Sequence, residues 1–211
     1  MLAWANGILA KVDQASSNPL DALHSNLNMA EKNLKTSLTW TGIKVRLADF
    51  DRIELMGLIQ DLYAASKDNQ TFLHARFGLG DDVLAPYKAT ISRWVCPDVL
   101  KNQDISVTKA KKAISDYKKA IGRPEGMAEL SIFYCEEVFA FLNYCGMDDD
   151  SYFAALVRMF EQALKWVAGL PLAQRLPLLE RLNRVRVAGT TIGWGVSDEF
   201  DTLWSQSGLE E

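Results

Sequence analysis

The sequence is poor in the residues that usually carry reactive or metal chemistry. Its 211 residues include only three cysteines and two histidines. The odd number of cysteines argues against a disulfide framework and favours a reducing compartment. Cys135 and Cys145 fall on one predicted helix about 15 Å apart, whereas a disulfide allows roughly 7 Å between Cα atoms. We therefore expect free, buried thiols at Cys135, Cys145 and Cys96.

Motifs for metal, nucleotide and nucleophilic chemistry are also missing. His24 and His74 have no cysteine, aspartate or glutamate at a metal-ligand spacing, and the sequence contains no HExxH, paired CxxC or EF-hand loop. No GxxxxGK[ST] phosphate loop is present, and Gly193-Trp194-Gly195 follows no predicted strand. We therefore assign no catalytic, metal or cofactor-binding residue from the sequence.

Long apolar runs are absent as well. The most apolar stretch, residues 130–142, is interrupted by Glu136 and Glu137 and falls short of the roughly 20 residues that cross a bilayer. Residues 2–10 lack the basic start of a signal peptide. We expect a cytoplasmic protein without a membrane partner.

Residues that favour α-helices outnumber those that favour β-strands. Alanine and leucine together number 50, whereas valine, isoleucine and threonine together number 31. Apolar residues recur at three- and four-residue steps in segments separated by short turns, and no 34-residue repeat is evident. We predict an all-α fold of about eight helices, in a bundle or an irregular array of helical hairpins.

The chain is predicted to have two parts. Asn18-Pro19 begins an amphipathic helix near residues 19–36, and residues 36–44 have the character of a linker. The first part is an N-terminal helical arm or extension over residues 1–43. The second is a helical domain over residues 44–211.

Local signals mark several helix ends in the domain. Asp51 and Glu54 have the spacing of a capping box, and Ser106 or Thr108 caps the lysine-rich helix that follows. Pro177 is expected to open a later helix. Three arginines of that helix are expected on its outer side: Arg181, Arg184 and Arg186.

Charge is distributed unevenly along the chain. The net charge is −4 at pH 7, yet residues 88–123 hold nine basic and three acidic residues. Their net charge is +6, so the remainder carries −10. The helix predicted over about residues 105–122 has lysines on two flanks of its apolar face. The candidate partner-binding residues are Lys109, Lys112 and Lys119 on one flank, and Lys111 and Lys118 on the other.

A polar stripe follows the most apolar helix. Glu129, Glu136 and Asn143 recur every seven residues on it. Because buried carboxylates are costly unless paired, we expect an interhelical salt-bridge ladder. The preceding helix offers three lysines for it: Lys109, Lys112 and Lys119. A catalytic or metal role for the stripe is the alternative, although no Glu-x-x-His motif accompanies it.

Three functions are compatible with the basic helix and the polar stripe. The favoured one is a non-enzymatic helical interaction module whose basic helix contacts an acidic surface of a partner protein. The first alternative is a nucleic-acid-binding protein that uses the same surface, with Tyr87 and Trp94 stacking on bases. The second is an enzyme that uses the polar stripe. A homo-oligomer is compatible with all three.

Five segments together resemble a known family: LMGLIQDLYAASKDNQTFLHARFG (55–78), YKATISRW (87–94), ISVTKAKKAISDYKKAIG (105–122), MFEQALKW (159–166) and TIGWG (191–195). They resemble a family of uncharacterised bacterial helical proteins of about this size, a domain of unknown function, over about residues 45–200. The lysine-rich helix and the GWG motif are the most specific parts. The resemblance implies a helical fold, and because the family has no assigned activity it implies no catalytic residue.

Overall fold

The structure, a computed structural model, describes residues 38–193 and 195–209. The described residues fall into two units that meet between Asp61 and Leu62 in the chain, and each unit is described by itself. Three parts of the sequence analysis lie outside the described residues: the helix predicted near residues 19–36, residues 2–10 and Trp194. Most of the predicted arm does too, so its boundary at residue 43 stays a prediction.

The predicted all-α class is confirmed. The described residues form nine α-helices and two short 3-10 turns, Val99–Lys101 and Gly189–Thr191, and contain no strand. The helices are α1 (Trp40–Leu47), α2 (Arg52–Ala65), α3 (Lys67–Phe77), α4 (Ala85–Val95), α5 (Val107–Ala120), α6 (Pro124–Tyr144), α7 (Asp150–Ala168), α8 (Leu172–Ala188) and α9 (Val196–Ser207).

The first unit is described from residue 38 to residue 61. The predicted capping box is present, since the Glu54 N–H donates to Asp51 Oδ1 at 2.8 Å and the Asp51 N–H donates to Glu54 Oε2 at 2.8 Å. Thr39 caps α1 by accepting a hydrogen bond from the Gly42 N–H at 3.3 Å. No residue between 38 and 61 is buried.

The core of the second unit is built around α6. This helix packs against α4, α5, α7 and α8. Its buried residues, which include Leu130, Ile132, Tyr134 and Val138, lie on nearly all of its sides. The most apolar helix of the sequence therefore lies at the centre of this unit and is buried on nearly all sides.

The turn between α5 and α6 fixes how closely these two helices approach. Gly122 ends α5 with φ +67°, a conformation that L side chains rarely adopt. At Gly126, in the first turn of α6, an added Cβ would lie 1.9 Å from the Tyr117 hydroxyl oxygen. Only glycine leaves room for Tyr117 there, so Gly126 permits the close approach of α5 to α6.

The predicted start of α8 was wrong. The helix begins at Leu172, and Pro177 lies inside it. The Arg175 guanidinium donates to the carbonyls of Ala168 at 2.9 Å and Leu170 at 3.0 Å. These bonds tie the first turn of α8 to the end of α7, so tertiary contacts extend the helix before the proline.

Candidate functional site

Helix α5 carries the five candidate lysines, and the cap predicted at its N-terminal end is present. Ser106 caps it by accepting a hydrogen bond from the Lys109 N–H at 3.4 Å. Five residues of α5 are buried: Ala110, Ala113, Ile114, Tyr117 and Ala120. Because these residues occupy the inner face, the lysines lie on its two flanks, as the spacing predicted.

The first flank of α5 borders a groove between α3, α4 and α5. The groove has a volume of about 470 Å³ and is lined by Lys109, Lys112 and Lys119 together with two aspartates. Lys112 Nζ lies 2.6 Å from Asp116 Oδ2 and 3.2 Å from Asp68 Oδ2, and Lys119 Nζ lies 3.6 Å from Asp116 Oδ1. Among the described residues, three lysines of the groove therefore face two carboxylates, so one positive charge there has no counter-charge from that part of the chain.

The aromatic side chains of the groove are already in contact with other groups. Lys109 Nζ lies 3.8 Å from the centroid of the Trp94 ring, and the Arg93 guanidinium carbon lies 4.4 Å from it. Tyr87 is only 4% exposed and packs edge-on against Tyr117 at 5.4 Å between ring centroids. A nucleic-acid base would have to displace a cation to stack on Trp94, and it cannot reach the face of Tyr87.

The second flank of α5 has a different environment. Lys111 is half-buried, and Lys118 Nζ lies 5.8 Å from the centroid of the Trp166 ring on α7. Burial lowers the pKa of Lys111, and the positive charge of Arg158 on α7 lowers it further. We call Lys111, Lys118 and Arg158 the cationic face.

No carboxylate in the described part of the chain forms an ion pair with the cationic face. Arg158 lines a small cavity of about 240 Å³ together with Asp150 and Glu199, yet neither carboxylate comes within ion-pair distance of it. The cationic face therefore holds three positive charges, none of which forms a close ion pair with a carboxylate of the described residues.

The predicted salt-bridge ladder is present on α6, but its predicted partners were wrong. Lys88 Nζ on α4 lies 2.6 Å from Glu129 Oε1, and the Arg181 guanidinium on α8 also binds Glu129. Arg181 holds Glu136 with two hydrogen bonds, of 2.8 Å from Nε and 2.6 Å from Nη2. The α5 lysines cannot reach these carboxylates because α5 turns its apolar face to α6 and its lysines away. Asn143, the third residue of the stripe, is exposed.

Arg181 was expected on the outer side of its helix and is instead partly buried, with its side chain 22% exposed. A sequence signal for this position exists. Arg181 stands with Leu178, Leu182 and Val185 at the spacing of an amphipathic stripe, so it occupies a position that faces the core. Lys88 has no comparable signal, because its partner depends on how α4 packs against α6.

The ion pairs with Lys88 and Arg181 favour the ionised form of Glu129. Burial alone would raise the pKa of this carboxyl, but hydrogen bonds from Arg181 and Lys88 outweigh burial and lower the pKa below its usual value. Glu129 and Glu136 line neither the groove nor the cavity beside Arg158. The arrangement serves as an anchor between α4, α6 and α8, since a carboxylate held in this way is not poised to exchange a proton near neutral pH.

The three cysteines lie partly as predicted. Cys96, Cys135 and Cys145 are free, and Cys135 is buried as expected, whereas Cys96 and Cys145 are only half-buried. The described residues contain no group of three or more histidine, cysteine, aspartate or glutamate side chains placed to hold a metal ion. Across residues 38–193 and 195–209, every helix is too short or too polar to cross a membrane.

Comparison with known proteins adds no relative. No protein-family model, curated protein or solved structure matches the chain. The resemblance to the bacterial helical family therefore stays a prediction.

Proposed function

We propose that the protein is a non-enzymatic interaction module that binds the acidic surface of a partner protein through α5. The cationic face is the observation that carries this proposal. Like charges that lack counter-charges repel one another, and an acidic surface docked over them would relieve that repulsion. Burial lowers the pKa of Lys111, and repulsion from the positive charge of Arg158 lowers it further.

The two flanks of α5 contribute differently to such binding. On the groove flank, Lys112 and Lys119 are already paired with Asp116, and Lys109 contacts the Trp94 ring. A partner would have to compete with these contacts to use them. Lys111 and Lys118 pair with no carboxylate among the described residues, and the Trp166 ring lies farther from Lys118, at 5.8 Å, than the Trp94 ring lies from Lys109, so we assign Lys111 and Lys118 the main role among the five candidates.

The nucleic-acid alternative receives less support. Three cations supply only a weak and salt-sensitive attraction to phosphates, and the chain as a whole is acidic with a net charge of −4. The two aromatic residues expected to stack on bases are Tyr87, which is buried, and Trp94, which is covered by cations. A protein surface needs no free aromatic ring, and it can match the cationic face with fixed carboxylates.

Affinity capture with charge-reversal variants tests this proposal. The bait is the full chain as wild type, as Lys111→Glu/Lys118→Glu, and as the control Lys101→Glu/Lys165→Glu. The control makes the same change of charge at lysines whose side chains are 73% and 64% exposed and which lie outside the cationic face. We expect wild type and control to retain the same acidic partner and the cationic-face variant to lose it.

Two outcomes would contradict the proposal. One is an identical set of partners on wild type and on the cationic-face variant. The other is binding of a labelled single-stranded oligonucleotide that weakens steeply between low and high salt and is lost in the same variant, which would favour the nucleic-acid alternative.

A further inference from the structure

The groove between α3, α4 and α5 has the size of a site for a small molecule. Its volume of about 470 Å³ lies within the range of about 300–1,000 Å³ that is usual for such sites. Apolar and polar side chains share its lining, and all of them belong to the second unit. Its apolar and aromatic members are Phe72, Pro86, Tyr87, Trp94 and Ala113. A lining of this composition suits a molecule that has an apolar body and a few polar groups.

One ammonium group of the groove has no carboxylate partner. Lys112 and Lys119 are paired with Asp116. Lys109 forms no ion pair with a carboxylate of the described residues, and its Nζ lies 3.8 Å from the centroid of the Trp94 ring. The ring attracts this ammonium group but does not neutralise it, so Lys109 can still pair with an anion.

One buried hydroxyl of the groove also has no partner. Tyr87 lines the groove and is only 4% exposed, and its hydroxyl forms no hydrogen bond with a described residue. Buried hydroxyls usually have such a partner, because an unpaired one costs free energy. Burial raises the pKa of Tyr87, and the negative charge of Asp116, which also lines the groove, raises it further. The hydroxyl is therefore protonated near neutral pH and can donate to an acceptor atom of a bound molecule.

These two groups lie at different positions along the groove. Lys109 is in contact with the Trp94 ring, whereas Tyr87 packs against Tyr117. Trp94 and Tyr87 are seven residues apart on α4, which corresponds to about 10 Å along the helix axis. A molecule that reaches both groups must therefore be elongated, with polar ends separated by about 10 Å.

We propose that the groove binds an elongated organic anion that has a carboxylate at one end, an apolar middle and an acceptor oxygen at the other end. The carboxylate pairs with Lys109, and the acceptor oxygen takes a hydrogen bond from the Tyr87 hydroxyl. The apolar middle packs against Phe72 and Ala113 of the groove lining. This site is separate from the cationic face, so it does not depend on the proposed partner binding.

Titration of the full chain with 4′-methoxybiphenyl-4-carboxylate, followed by heteronuclear NMR, tests the site, because the carboxylate and the ether oxygen of this probe are about 10 Å apart. We expect a saturable shift of amide resonances in α3, α4 and α5. Two matched probes separate its two ends. The carboxamide of the same compound lacks the charge for Lys109, and the carboxylate without the methoxy group lacks the acceptor for Tyr87. Each should bind wild type roughly fivefold more weakly.

Variants of the protein make the same separation. Lys109→Met keeps the length of the side chain without its charge, so the carboxylate and the carboxamide should bind it equally. Tyr87→Phe removes only the hydroxyl, so the probes with and without the methoxy group should bind it equally. Because that hydroxyl makes no hydrogen bond within the described residues, Tyr87→Phe should leave urea unfolding unchanged. The control Lys165→Met changes a side chain on α7 that is 64% exposed, and it should bind all three probes as wild type does.

Several outcomes would overturn the proposal. One is the lack of a saturable shift in wild type with the first probe at millimolar concentration. Another is a saturable shift confined to helices other than α3, α4 and α5. A third is equal binding of all three probes to wild type. A preference for the carboxylate over the carboxamide that survives in Lys109→Met would also overturn it.

Discussion

Replacing Arg181 by methionine should destabilise the protein by about 2–3 kcal/mol at pH 7. Methionine keeps much of the side-chain volume but removes the donors that hold Glu129 and Glu136. Breaking a fully buried ion pair from one side costs roughly 3–5 kcal/mol, because a charge is left without its partner. The side chains of Glu129 and Glu136 are 20% and 33% exposed, so water compensates part of that loss. Lys88 still holds Glu129, which lowers the cost further.

The same variant makes a prediction about pH. The pKa of Glu129 in the folded protein is lower than the ordinary value of 4.5 that applies to the unfolded chain. Its pairing therefore stabilises the folded state fully above that ordinary value, and this contribution is lost as the pH falls through the folded pKa. Without Arg181, Glu129 keeps only its pair with Lys88, so protonation of Glu129 loses less stabilisation than in wild type. The difference in unfolding free energy between wild type and Arg181→Met should therefore shrink as the pH falls from 7 to below 4.5.

Urea unfolding followed by circular dichroism measures both effects. The matched control is Arg184→Met, the same substitution on the same helix at an exposed arginine, which should change stability by less than about 0.5 kcal/mol. If Arg181→Met lowers the unfolding free energy no more than this control, the Arg181 ion pairs do not stabilise the fold. If the loss at pH 7 stays unchanged at low pH, the ionised form of Glu129 is not its cause.

Two further predictions concern packing. Gly126→Ala should destabilise by about 1–3 kcal/mol in thermal or urea unfolding, because the new Cβ would overlap the Tyr117 hydroxyl, whereas Gly146→Ala, where an added Cβ meets nothing within 4 Å, should be nearly neutral. In thiol labelling at pH 8, the Cys135 thiol should stay unmodified in the native protein and react only on unfolding, because it is fully buried and burial raises its pKa. A native protein in which all three cysteines react, or equal stability of the two glycine variants, would contradict these expectations.

Features that depend on neighbours in sequence could be predicted. The capping box of Asp51 and Glu54 and the cap of α5 at Ser106 each involve groups at most three residues apart, so local spacing determines them. The apolar period of α5 likewise places Lys111 and Lys112 on opposite flanks of the helix. These signals are sufficient because the helix geometry itself brings the groups together.

Features that depend on how helices pack could not be predicted in the same way. The need of Glu129 and Glu136 for partners followed from their place on an apolar helix, but the identity of those partners did not. Lys88 and Arg181 lie 41 and 52 residues from Glu129, and only the packing of α4 and α8 on α6 brings them near. The start of α8 was missed for a different reason: a proline is more common in the first turn of a helix than in the second, where Pro177 lies.

The basic residues of the protein fall into two groups. Some form ion pairs that stabilise the fold, and others form no ion pair among the described residues and are available to a partner. Lys88 and Arg181 neutralise carboxylates of the central helix, so changing them perturbs stability before it perturbs any interface. Lys111 and Lys118 neutralise nothing in the described part of the chain, so their positive charge acts outward into solvent. Charge reversal at Lys111 and Lys118 should therefore affect binding with little loss of stability, whereas loss of Arg181 should affect stability first. A single pair of measurements on these variants, one of stability and one of partner capture, separates the two roles.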